Sequence, residues 1–388
     1  MKHRNWVKAT IMLTSSMTVM AGAAIAASTP KLRDAFPEVE NAEFISKMVI
    51  SLPALFIAMA SPLMGQLLDK YGRLPFMYVG LVLYALAGTA GFFLDDLTHI
   101  LISRAVLGVS VACIMPATVA LIGDYFEGSE RETMTALQGA AMALGGVIFV
   151  GIGGILADIS WRYPFLIYLF SLFVLVFAVI FFVEPKLEKD DTGKGNYFSG
   201  LTRLHYYLLG SGLVIMIAFY MIPIQIPFLL KSLGVNEMKW IALALVTNTF
   251  CSVFVAASYK FFRKFLSFPA ANATMLIFMA TGFVIVSLAN SYVMVVVGLA
   301  FAGLGLGLFM PNFSLWALEI TPVAIRGRVV GLVSSAVFLG QFLSPYVVQP
   351  MIEQGLALNE TFLLVAGLLL VMSAAFWAMA LRKPKETS

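Results

Sequence analysis

Apolar residues in this chain neither alternate with polar ones, as in a half-buried strand, nor form the single stripe of a soluble helix. They run on for about 20 positions at a time and stop at short charged clusters. A helix crossing a hydrocarbon core of roughly 30 Å needs a run of about that length. Twelve such runs are present, at 6–28, 46–68, 75–94, 99–123, 133–157, 162–183, 206–230, 239–262, 269–289, 292–317, 328–350 and 359–381. They predict an all-α membrane protein of twelve spans joined mostly by short connections. The most polar stretch lies between spans 6 and 7. It predicts two six-helix bundles, residues 1–184 and 206–388, with a solvated linker at 185–205.

Composition supports this reading. Of 388 residues, 60% are hydrophobic and 12% charged, against roughly 45–50% and about 25% in soluble domains. The net charge of +4 does not indicate nucleic acid, because most Lys and Arg residues fall in connections that alternate topology assigns to one side. That asymmetry predicts an inner (plasma) membrane protein of a bacterial type, with both termini cytoplasmic. Cys113 and Cys251 sit inside predicted spans, without metal-ligand spacing, and read as packing residues. His3, His99 and His205 lie at or beyond span ends, and no phosphate-cradling Gly-x-x-x-x-Gly-Lys-Ser/Thr loop is present. No cofactor, metal site or enzymatic activity is predicted.

The halves repeat at an offset of 195 residues. Gly108 answers Gly303, Met115-Pro116 answers Met310-Pro311, Arg131 answers Arg326, and Leu144-Gly145 answers Leu339-Gly340. Asp124 is answered by Glu319. A parallel duplication of six helices is a device for alternating access, in which two bundles rock about a site between them. Transport is therefore the expected function.

Between spans 2 and 3 the chain reads Gly65-Gln-Leu-Leu-Asp69-Lys-Tyr-Gly72-Arg73-Leu-Pro75. It resembles the Gly-x-Leu-x-Asp-Arg-x-Gly-Arg-Lys loop signature of the major facilitator superfamily, with Lys70 and Leu74 as departures. The resemblance implies the twelve-helix fold of that family and a latch formed by Gly65, Asp69, Gly72 and Arg73 when the protein faces outward. The equivalent loop of the second half, near 259–268, keeps basic residues but has Lys264 where the offset would place the acid. Asp124 with Arg131 and Glu319 with Arg326 share one acid-to-base spacing and are expected to join the cytoplasmic gate. In span 4, Arg104-x-x-x-Gly108 resembles the family's Arg-x-x-x-Gly element, which implies a part in proton coupling. The alternative for Arg104 is snorkelling to the interface. In span 5, Gly145-Gly146 and Gly151-Ile152-Gly153-Gly154 resemble the drug-antiporter element, but Phe149-Val150 replaces its Gly-Pro.

In this family spans 1, 4, 7 and 10 line the path. The resemblance therefore implies a cavity with Thr18, Tyr220, Gln225 and Asn312, joined by Asn248 and Gln341 from spans 8 and 11. Pro223, Pro227 and Pro311 are candidates for breaking their helices at depth. The expected function is proton-coupled efflux of a drug-like compound or metabolite by a monomer. A proton-independent or importing facilitator, or a non-transporting membrane sensor, is the alternative. No Asp or Glu falls near the middle of any span.

Overall fold

A computed structural model describes residues 4–185, 200–322 and 325–381, with the backbone only at Asp69, Arg326 and Gly327. The predicted linker falls largely on 186–199, outside the described residues. The elements are α1 (Arg4–Ala26), α2 (Thr29–Asp34), α3 (Ala42–Tyr71), α4 (Arg73–Phe93), α5 (Leu97–Tyr125), α6 (Gly128–Ile159), a 3-10 turn (Tyr163–Leu169) leading into α7 (Phe170–Phe181), α8 (Arg203–Ser232), α9 (Met238–Ala257), α10 (Tyr259–Arg263), α11 (Phe268–Ser287), α12 (Tyr292–Leu306), α13 (Phe309–Glu319), α14 (Arg326–Glu353) and α15 (Leu358–Leu381). Among the described residues, twelve helical segments are long and apolar enough to cross a membrane, and each overlaps one of the predicted runs. We call the side where α1 begins and α15 ends the basal face, and the other the distal face.

Two local departures follow from sequence chemistry. Span 10 is interrupted between α12 and α13 at Gly307-Leu308. Pro311 lacks an N–H and its ring crowds the carbonyl four residues earlier, which is that of Gly307. By contrast α8 runs unbroken through Pro223 and Pro227; the flanking turns keep their hydrogen bonds and neighbouring helices support the segment.

The repeat is visible in how glycines let helices touch. A Cβ on Gly108 of α5 would overlap the Pro53 carbonyl of α3, and one on Gly303 of α12 would overlap the Asn248 carbonyl of α9. Spans 4 and 10 thus pack on spans 2 and 8 by the same device. Gly145 of α6 lies against Ser16 of α1, and Gly340 of α14 against Leu213 and Met216 of α8, which relates spans 5 and 11 to spans 1 and 7. Small residues permit this close approach, and with little hydrophobic drive between helices in lipid, packing holds the bundle. Large apolar side chains such as Phe173, Val176 and Ile180 of α7, or Leu364, Leu368 and Val371 of α15, remain exposed where lipid would solvate them.

The halves meet through α3 against α14 and α6 against α9, and both seams splay from the distal to the basal face. Along α6, a Cβ on Gly154 would overlap Ala242 and lie 2.9 Å from the Met238 carbonyl of α9. At Gly146 the Thr249 methyl is at ordinary contact, 3.4 Å, and at Gly139 nothing lies within 4 Å. On the other seam, Gly65 of α3 and Gly331 of α14, both near the basal face, have nothing within 4 Å.

Candidate substrate path and gate

The distal closure is polar, and charged side chains cross between the halves at three places among the described residues. Lys47, one turn into α3, is fully buried; its Nζ donates to Glu43 Oε1 (2.6 Å) of its own helix and to Gln349 Oε1 (2.9 Å) of α14. The ammonium also lies 5.0 Å from the Phe228 ring of α8, so two of its three stabilising partners come from the other half. Asp34 at the end of α2 pairs with Lys231 of α8 and with Arg33 (2.7 Å). Partial burial alone would push the Asp34 carboxyl up, but the hydrogen bonds from Lys231 and Arg33 outweigh it and hold the carboxyl below its ordinary 3.8. Thirdly, Asp158 at the end of α6 accepts from the backbone N–H groups of Met238 (2.5 Å) and Lys239 (3.2 Å). A carboxylate of one half therefore caps the N-terminus of a helix in the other, where the helix dipole favours negative charge. None of these residues stood out in the sequence. The available signals were a lysine inside an apolar run with a glutamate four positions before it, and acids bordering span ends.

At the basal face the predicted gate residues are brought together only in part. Arg73 Nε donates to Asp124 Oδ2 (2.9 Å), so Asp124 takes Arg73 rather than Arg131 as an ion-pair partner. The Arg131 guanidinium lies beside Gly123, and Glu319 is exposed. The side chains of Asp69 and Arg326 are outside the described residues. Gly72 has a left-handed φ of +104°, and a Cβ there would sit 2.9 Å from Glu184 Oε1. The left-handed φ requires glycine, and a Cβ would also displace the Glu184 carboxylate. The Glu184 carboxylate accepts from the N–H groups of Arg73 (2.6 Å) and Leu74 (2.8 Å) and caps α4. Tyr125 Oη further ties α5 to the chain after span 6, donating to the Val183 carbonyl at 2.6 Å. The loop signature is thus buttressed by a carboxylate at the edge of the predicted linker.

Arg104 is fully buried within the first half rather than at the seam. Its Nη2 donates to the carbonyls of Ala87 (2.8 Å) and Gly88 (2.6 Å) of α4, and its guanidinium lies 5.0 Å from each of the Phe165 and Tyr168 rings. Tyr168 and Tyr84 in turn donate to the Ala21 (2.8 Å) and Met17 (2.7 Å) carbonyls of α1. Carbonyls and aromatic faces replace a carboxylate as partners for this cation, and Nη1 has no partner among the described residues.

The six predicted cavity residues divide by what they already hold. Asn312 is spoken for: Nδ2 donates to Phe268 O (3.0 Å) and Asn272 Oδ1 (2.7 Å), and Oδ1 accepts from Tyr259 (2.8 Å). Asn248 Nδ2 donates to Leu299 O at 3.0 Å. Both amides stitch the second half together. Gln225 of α8 is different, being fully buried with neither its oxygen nor its nitrogen partnered among the described residues. Ser46 and Ser51, flanking Lys47 on α3, are likewise buried with unpartnered hydroxyls. Tyr220 places its hydroxyl 3.2 Å from the Cβ position of Gly22 of α1, at a crossing between halves. Thr18 and Gln341 are half-buried, and Gln341 Nε2 has only the Met216 sulfur at 4.0 Å.

Two related six-span halves, sealed by charge at one membrane face and parted at the other, define a membrane transporter of the alternating-access type. The family model described as "Major Facilitator Superfamily" matches residues 9–345 and 208–388, and the chain belongs to that superfamily. Among curated relatives, the quinolone resistance protein NorB of Staphylococcus aureus strain MSSA476 is 26% identical over 222 residues, which is 57% of this chain and 45% of NorB. The chain thus matches about half the length of that relative. Two solved structures share the fold. The D-xylose–proton symporter has TM-score 0.78 and 14% identity, covering 97% of both chains. A bacterial homologue of the human lysosomal transporter Spinster, in an inward-facing and occupied conformation, has TM-score 0.76 and 16% identity, covering 98% of this chain and 97% of its own.

Proposed function

We propose that this protein is a secondary active transporter that expels a small, largely apolar organic molecule in exchange for protons, with both termini cytoplasmic. The observation that carries this reading is the pair of seams, closed distally through Lys47–Gln349, Asp34–Lys231 and Asp158 on α9, and parted basally. With the basal face cytoplasmic, the conformation is inward-facing, ready to load substrate from inside. Thr18, Tyr220, Gln225 and Gln341 are the polar contacts of the path, while Asn248 and Asn312 hold its wall in shape. The basal residues Gly65, Asp69, Gly72, Arg73, Asp124, Arg131, Glu319 and Arg326 act when the cycle reverses and that face shuts. Arg104 contributes to coupling indirectly, by holding α4 and the turn at 163–169 against α5. The partial likeness to NorB supports efflux of amphipathic compounds.

A second reading has its own observation. Among the described residues the buried Lys, Arg, His, Asp and Glu side chains are Lys47, Arg104 and His205, and no carboxylate is among them. A carboxylate titrating at depth is the usual means of moving protons with substrate. A proton-independent facilitator would not need one.

The test is the purified protein in liposomes with an imposed pH gradient, an internal pH dye, and a panel of quinolone-like amphiphiles, lipophilic cations and neutral metabolites. Substrate-dependent proton flux supports exchange. Flux of substrate without proton movement establishes the facilitator, and no flux of any compound overturns both.

A further inference from the structure

The counterpart of the loop signature in the second half has exchanged its chemistry. Residues 238–318 contain no Asp or Glu. In that acid-free stretch the basal turn carries Lys260, Arg263 and Lys264. α10 is anchored on its inner side, where Tyr259 is buried and donates to Asn312 (2.8 Å). Arg263 is also engaged inward, donating to the Leu266 carbonyl at 2.6 Å with its guanidinium 3.8 Å from the Phe268 ring. Lys260 and Lys264 are exposed, one helical turn apart, and neither has an ion-pair partner among the described residues. Glu319 lies near Tyr259 but pairs with neither lysine.

Beside these lysines the surface is apolar and aromatic. Phe261 and Phe265 are 61% and 73% exposed and in edge contact, with centroids 5.3 Å apart. Phe250 and Phe254, one turn apart in the last two turns of α9, are exposed as well, at 65% and 67%. Exposed rings at the end of a membrane span, beside two ammonium groups that have no ion-pair partner among the described residues, match one chemistry: an acyl chain continued by a phosphate. Each cation near an anionic bilayer surface contributes roughly a factor of five in affinity, and the rings supply apolar contact at the interface, where aromatic side chains concentrate.

We propose that the α9–α11 connection is a docking surface for an anionic phospholipid of the basal leaflet. Lys260 and Lys264 hold the phosphate, and the acyl chain lies along Phe250, Phe254, Phe261 and Phe265. The second half thereby anchors to the membrane surface at the position where the first half carries its gate signature.

The test uses the full chain in bilayer nanodiscs of phosphatidylcholine mixed with phosphatidylglycerol, with retained lipid counted by native mass spectrometry. The expected result is enrichment of phosphatidylglycerol on the wild type and roughly a fivefold loss for each lysine replaced in Lys260→Gln and Lys264→Gln. The double Lys→Arg variant keeps the enrichment, which separates charge from folding. Equal retention by the wild type and the double Gln variant overturns the proposal. So does displacement of the lipid by soluble glycerol phosphate, which would mark a site for free phosphate. Retained lipid is read without any transport, so failure here and failure of the efflux reading are distinct.

Discussion

Lys47 of α3 and Gln349 of α14, 302 positions apart in the chain, are joined by a 2.9 Å hydrogen bond that links the two halves across the closed distal face. The lysine is fully buried, so its acceptors decide whether closure is tolerated. Gln349→Leu leaves a buried cation with one partner fewer in the closed state and unchanged hydration in the open one. A hydrogen bond to a charged group is worth about 1.5–3 kcal/mol, so the distal-open population should rise by about tenfold or more. Spin labels on the exposed Glu38 and Asn236, one in each half, would register this as a longer distance. An unchanged distribution would remove Lys47 from the latch.

The Asp34–Lys231 contact fixes the pH range over which the latch holds. The Asp34 carboxyl is lowered beneath 3.8 in the closed state; opening removes Lys231 but leaves the neighbouring Arg33, so the carboxyl rises back toward that ordinary value. Its contribution to closure is therefore fully present above 3.8 and fades as pH falls through the lowered value. The label distance should stay constant between about pH 5 and 8, outside the carboxylate's titration range, and lengthen only under stronger acid. A transition near neutrality would assign pH sensing to another group.

Gly154 and Gly139 lie on the same helix and should respond oppositely to the same change. Gly154→Ala drives a methyl into Ala242 and toward the Met238 carbonyl, so the halves cannot close distally and transport should be lost with the protein held distal-open. Gly139→Ala meets nothing and removes a flexible residue from a helix, which favours folding by roughly 1 kcal/mol. Thermal unfolding and the label distance on both variants check the contrast. Wild-type closure in Gly154→Ala would mean the seam has slack that the packing does not show.

Gln225 and Asn312 are both fully buried amides but should separate in assay. Gln225 has no hydrogen-bond partner among the described residues, so Gln225→Leu should keep or raise thermal stability while weakening substrate binding. Asn312→Leu would orphan Tyr259 and Asn272 and should destabilise by a few kcal/mol, since each buried group left unpaired costs about 1–3 kcal/mol. Melting curves with and without bound substrate test both. Unaltered binding in Gln225→Leu would take that residue out of the path.

Much of this architecture was legible in one dimension. Hydrophobic runs located all twelve spans because each must match the same hydrocarbon thickness, and the offset of 195 exposed the duplication through Gly108/Gly303 and Gly145/Gly340. The candidate site was legible only as an inventory. Asn248, Asn312 and Gln225 are all amides within apolar runs, and nothing in the sequence tells one that already has partners from one that lacks them. Charge placement was legible as a cluster and not as pairs: repeated spacing grouped Asp124 and Arg131 with Asp69 and Arg73, and the fold sets Arg73 on Asp124. Lys47, Asp158 and Gln349 gave little signal, because their partners lie far along the chain.

What the sequence determined by itself is therefore the membrane class, the number of spans, the repeat and the superfamily signature. Each of these depends on properties summed over short windows, chiefly length, hydropathy and local motif spacing. The tertiary structure alone decided which face is closed, which amide is left free, and that Arg104 is held by carbonyls and rings inside one half. Those depend on pairings between helices, and in spans that are apolar on most of their faces, periodicity cannot announce which side of a helix meets which neighbour.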